Sequence, residues 1–318
     1  MSAKSVSISS MFGWIVDAFR LFKKNPGSLI GAGLLTILCF FALMLPMWLL
    51  MFGSMYRSMA SGGMMAGQAP MMGGNMTLFF GLYGLTLVLS LALFPPMLMG
   101  WFRMYQAIDL GDAVGATDIF KPYRDVEAWW RGIRYALLIM VIYIGVIGLF
   151  MLAFMGPFVD FQQQMMANQA AALSGAEPTP PTLPAAFWLA YAGMFLVLIP
   201  LQFVYMLGFT EVSLRPTGAL EALRRGAIGM ARNLLKLLVF TLLASMFFGT
   251  VIVCIVLVLA LLVWVLSLAS SVLAVVAVIV LYFVVLLCLY PLMFAGHYFA
   301  WKSVLGDDGA PTESAVSA

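Results

Sequence analysis

Charge is what this sequence has least of. Only 9% of its 318 residues are charged, against about 25% in a soluble domain. Such a chain cannot clothe itself in polar surface, so a water-soluble globule is excluded. Histidine is almost absent, with His297 alone, which removes His-based zinc sites and the His-Glu-x-x-His motif. Neither a Gly-x-Ser-x-Gly elbow nor a phosphate-binding Walker loop occurs. The three cysteines, Cys39, Cys254 and Cys288, all lie within apolar runs, so a structural disulfide in an exposed loop is not expected. No cleavable signal pattern precedes the first apolar run.

What fills the space instead is hydrocarbon. Hydrophobic residues make up 64% of the chain, and mean hydropathy is +1.05. A bilayer core takes about 20 apolar residues per helical span. The runs here are continuous rather than alternating, which rejects an outer-membrane barrel. The expected fold is therefore all-α and polytopic, with spans at 28–53, 77–106, 134–158, 185–210, 236–264 and 271–300. The last two are separated by a turn near Ser267–Ser271, the one small polar cluster in that stretch.

The few charges are placed on one side. Lys4, Arg20, Lys23 and Lys24 precede the first span, and Arg103, Lys121, Arg124, Arg131 and Arg134 lie around the second-to-third connection. Arg215, Arg224, Arg225, Arg232 and Lys236 surround the fourth-to-fifth connection, and Lys302 follows the sixth span. Fifteen of the sixteen basic residues thus share a side, and only Arg57 lies opposite. Positive charge stays in the cytoplasm, so both termini are expected there, in a multi-pass cytoplasmic membrane protein.

Self-similarity sets the expected architecture. An amphipathic segment precedes each odd-numbered span. In the first, Phe12, Ile15, Phe19 and Phe22 share a face opposite Asp17, Arg20 and Lys24. In the second, Phe120, Tyr123 and Trp130 oppose Lys121, Arg124 and Arg131; in the third, Leu220, Leu223, Ala227 and Met230 oppose Glu221, Arg225 and Arg232. Ser9, Thr117 and Thr217 are the expected N-caps. Each even-numbered span carries a proline, at Pro95 (with Pro96), Pro200 and Pro291, and proline bends a helix. Pro95–Gly100 repeats as Pro291–Gly296, and Leu110-Gly111-Asp112 as Leu305-Gly306-Asp307. These patterns predict a single membrane domain over 1–318 of three pseudo-repeated hairpins, each preceded by a cytoplasmic-face amphipathic helix: units 9–108, 117–210 and 217–302, then a disordered tail over 303–318.

The run from Trp14 through Asp17, Arg20, Lys23 and Lys24 to Asn25-Pro26, leading straight into a span, resembles the opening of a large group of uncharacterised bacterial inner-membrane proteins. Gly111-Asp112 and Asp118-Ile119-Phe120 before the third span resemble that group too. Related membrane domains are fused to some glycerophosphodiester phosphodiesterases. The resemblance implies an architecture of amphipathic-helix and hairpin units in a bacterial inner membrane, and no reaction.

Functional expectations follow the charge map. Lys23, Lys24, Arg131, Arg134, Arg224, Arg225 and Arg232 are the candidate anionic-lipid contacts, since basic amphipathic helices lie in the headgroup layer. Their partner is lipid, another membrane protein or a further copy of this chain; nucleic acid and a cofactor are not expected. A transporter or channel for a small or lipid-like substrate is the alternative class. The first outer loop is rich in methionine, and Met51, Met55, Met59, Met64 and Met65 form a candidate Cu(I) site, because thioethers suit that ion. Asp109, Asp112 and Asp118 are expected to cap helices and face solvent, Glu211 and Asp160 to be solvated at span ends, and His297 to be a neutral hydrogen-bonded ring.

Overall fold

The computed structural model describes residues 4–60, 76–173, 185–267 and 270–306. Among them the chain is helical, with no strand: α1 Ile8–Lys24, α2 Pro26–Ala60, α3 Met76–Leu110, α4 Val126–Leu173, α5 Ala185–Leu214, α6 Ala219–Ser267 and α7 Ser271–Val304. A 3-10 helix, Ala116–Arg124, connects α3 to α4. Six helices are long and apolar enough to cross a membrane, over Pro26–Gly53, Thr77–Leu110, Val126–Gly156, Phe187–Leu214, Ala219–Leu262 and Val276–Val304. The reversal between α6 and α7 falls in the expected Ser267–Ser271 stretch. The expected tail begins too early at 303, because α7 continues through Ser303 and the fully buried Val304; residues 307–318 lie outside the described residues.

The segments ahead of the odd-numbered spans take three different forms. Asn25 leaves the helical region (φ −147°, ψ 64°) because the following Pro26 disfavours it there. Pro26 then opens α2, where its missing N–H costs nothing. The second segment is the 3-10 helix rather than an α-helix, with Pro122 inside it. The third runs straight into the fifth span as one long helix, broken at Asn233 (φ −125°, ψ 15°). The first cap is Ser7 and the second Gly115, not Ser9 and Thr117, so these helices begin two residues earlier than their hydroxyls suggested.

Packing is concentrated at the end of the bundle that carries the basic residues, called the basic end below. Met97, Trp101, Phe102, Tyr105, Phe209 and Tyr135 are buried there, whereas the far halves of the spans mostly expose their apolar side chains. In a bilayer that exposed surface meets lipid tails. The inner stretches of α3, α5 and α7 touch one another, α1 lies on α7, the 3-10 helix on α3, and the first turns of α6 on α5. Gly100 permits one of these approaches: a Cβ there would overlap the Ile119 carbonyl of the 3-10 helix.

Pro95, Pro96, Pro200 and Pro291 sit where the packed part begins, whereas Pro46 lies in the outer half of α2. Pro96 leaves the Ala92 carbonyl without its helical donor, and Trp129 Nε1 donates to it at 3.2 Å. The Tyr123 hydroxyl donates to the next carbonyl, Leu93. Tyr135 Oη donates to Val204 O at 2.9 Å, beyond Pro200, and Tyr105 Oη donates to Pro291 O at 2.8 Å. Aromatic hydroxyl and indole groups from neighbouring segments thus bond backbone oxygens near all three prolines, and at Ala92 one of them replaces the donor that proline removes.

Candidate functional site: a polar junction at the basic end

Because an amphipathic element must turn its apolar side to something, the faces of α1 and α6 decide what lies in the headgroup layer. The apolar side of α1 is divided. Trp14, Ala18 and Leu21 are buried against the bundle, while Phe12 and Val16 are exposed. On the first turns of α6, Ala222, Gly226 and Gly229 face protein and Leu220 is 71% exposed.

Of the seven candidate lipid contacts, Lys23, Lys24, Arg134, Arg224 and Arg232 are exposed. Two turn inward. Arg225 donates from Nη1 to Glu211 Oε1 at 2.8 Å and from Nε to Glu221 Oε1 at 2.9 Å. Arg131 is 17% exposed and pairs with Glu127 at 2.9 Å.

Glu211 corrects the expectation of a solvated span end. Its side chain is fully buried at the end of α5. Besides Arg225 it accepts from Trp301 Nε1 at 2.8 Å, on α7, and lies 3.4 Å from Arg215 Nη1. The Arg215 guanidinium stands over the Trp301 ring at 5.4 Å. A buried carboxylate is tolerated only when paired and hydrogen-bonded, and these donors supply both. The sequence hint was Arg225 on the helix that follows directly; Trp301 gave none. Asp160 is exposed, as expected.

The three aspartates do not act as a group. Asp109 accepts from Lys302 and from Tyr298 Oη at 2.9 Å, tying α3 to α7. Asp118 closes the start of the 3-10 helix by accepting from Gly115 N–H at 3.2 Å and pairs with Lys121 at 3.0 Å. Asp112 is exposed. His297 keeps its ring Nδ1 2.8 Å from the Met293 carbonyl, a local helical contact.

A short extended segment completes the junction. Asn233, 1% exposed, accepts from Val6 N–H at 3.0 Å and donates to the Lys4 carbonyl at 2.8 Å. Lys4 N–H donates to Val304 O at 2.9 Å. The broken helix at Asn233 therefore grips residues 4–6 through their backbone.

The methionine-rich stretch is described only in part. Met51, Met55 and Met59 lie on α2 at helical spacing, and Met51 is exposed; the side chains of Met55 and Met59, and all of Met64 and Met65, lie outside the described residues. Among the described residues no three His, Cys, Asp or Glu side chains form a cluster able to hold a metal. The junction places Glu211 and Asp109 in ion pairs and hydrogen bonds that join α3, α5, α6 and α7. No family model, no curated protein and no solved structure matches this chain.

Proposed function

We propose that the chain is a non-enzymatic protein of a bacterial cytoplasmic membrane, with both termini in the cytoplasm, whose basic end engages anionic lipid. One observation carries this: α1 and the first turns of α6 expose cations and large apolar side chains together. Lys23, Lys24 and Arg224 are exposed on the same short elements as Phe12, Val16 and Leu220. Water suits only the first set and hydrocarbon only the second, so the headgroup layer is where both are stable. Anionic lipid then gathers at these cations.

A threefold arrangement of hairpins fits the packing order. Each interfacial element lies against the even-numbered span that precedes it, and α1 lies against α7 as if the first unit followed the third. The polar junction locks that ring. Transport of a lipid-like molecule is the second reading, supported by the prolines within α3, α5 and α7, since proline weakens a helix locally.

The test replaces Lys23, Lys24 and Arg224 with glutamine. Native mass spectrometry of protein extracted from anionic membranes should show fewer retained anionic lipids, with insertion unchanged. Equal retention would end the lipid reading. Flux through liposomes carrying the wild-type protein would favour transport instead.

A further inference from the structure

Arg131 has more donors than acceptors. Nη1 bonds Glu127, but Nε is buried and has no hydrogen-bond partner. Buried donors nearly always have one, so this atom calls for an explanation. Arg103 of α3 lies at the same contact, since Met99, one turn before it, packs on Gly132, the neighbour of Arg131. Arg103 Nε donates to Ser213 O at 3.0 Å, while its Nη2 stands 3.9 Å from Asp125, beyond hydrogen-bond length. Two carboxylates offset the pair, yet Glu127 is 82% exposed and Asp125 48%, so water meets much of their charge. The guanidiniums keep N–H groups to offer.

We propose that Arg131 and Arg103 form a discrete phosphate-binding site, filled in the membrane by the phosphodiester of a glycerophospholipid. Guanidinium groups match phosphate oxygens in geometry as well as charge. The surface beside the pair suits the rest of a lipid. Trp130, Leu137, Val141 and Ile144 are exposed at 45%, 37%, 65% and 62%, and their spacing puts them on one face of α4. Acyl chains lie along that stripe, with Trp130 at headgroup level, where tryptophan is favoured. Arg134 is exposed on the same stripe and prefers a headgroup with net negative charge. The site rests on the lipid reading above but differs from it in kind: one lipid held at one place, not enrichment around a rim.

The experiment uses the full chain in detergent, titrated with short-chain phosphatidylglycerol, phosphatidylcholine of equal chain length, or inorganic phosphate, and read by native mass spectrometry. Wild type should take up one phosphatidylglycerol saturably and phosphatidylcholine more weakly. Arg131→Lys keeps the charge but replaces the planar fork with a single ammonium, and should weaken uptake about tenfold, the scale of one charge-assisted hydrogen bond; Arg131→Gln should abolish it. If inorganic phosphate competes at equal concentration, the site stands and its ligand is the free ion; if it does not, the headgroup is the ligand. No saturable uptake by wild type, or unchanged uptake by both Arg131 variants, overturns the proposal, and the wild-type arm needs no variant to fold. Loss of lipid in the Lys23, Lys24 and Arg224 variant with Arg131 variants unaffected would refute this site alone. The reverse pattern would refute the rim and leave the site standing.

Discussion

Trp301 on the last span donates its indole N–H to the buried carboxylate of Glu211 on the fourth, at 2.8 Å. The pair joins two helices that are far apart in sequence, and Arg225 completes it from a third. Removing Glu211 leaves Arg225 its Glu221 partner but takes the acceptor from Arg215 and Trp301, and breaking a buried pair costs up to about 3–5 kcal/mol. Glu211→Ala should therefore lower the melting temperature in detergent severely, and Trp301→Phe more mildly, by about 1 kcal/mol for one neutral donor lost. Glu211→Ala melting with wild type would show that the junction does not hold the bundle.

Gly100→Ala tests the contact between α3 and the 3-10 helix. The added methyl would overlap the backbone of Ile119, which cannot yield as a side chain can. Overpacking of this kind costs about 1–3 kcal/mol or more. Gly81→Ala, on the same helix with open space around it, should be neutral. Thermal unfolding of the two variants side by side gives the answer, and equal stability would refute the contact.

Orientation is checked by labelling. In a background without Cys39, Cys254 and Cys288, single cysteines at Gly67 and Ala176 should react with an impermeant maleimide from outside intact cells. Cysteines at Gly115 and Gly218 should react only after lysis. Labelling at 115 in intact cells would invert the topology.

Copper binding by the methionine-rich stretch has its own measurement. Wild type purified after Cu(I) loading should carry more metal than a variant with leucine at Met51, Met55, Met59, Met64 and Met65. Equal copper by elemental analysis would remove the thioethers from consideration.

Six spans and the reversal at Ser267–Ser271 could be read from the sequence because a bilayer imposes one requirement on every span: length in apolar residues. That requirement is local, and so is the signal. The fate of Glu211 is not local. Its position at a span end suggests solvent, and only α7 folding back with Trp301 covers it. Arg225 illustrates the same limit, since helical periodicity puts it on a polar face while the buried Glu211 turns it inward. The divided face of α1 escaped for a related reason: periodicity marks apolar residues without saying whether protein or lipid will meet them. Whether the three hairpins repeat as units rests on packing order, which no single stretch of sequence contains.

The grip of Asn233 and Val304 on residues 4–6 has a consequence for biosynthesis. Residues 4–6 are secured by residues made at least 227 positions later. A ribosome delivers the chain from its N-terminus, and early parts fold before later ones exist. Until α6 and α7 emerge, α1 has no bundle against which to bury Trp14, Ala18 and Leu21. Until then its apolar flank stays uncovered. The docking of α1 on α7 therefore comes late in assembly, and a chain truncated before α7 would keep that flank exposed.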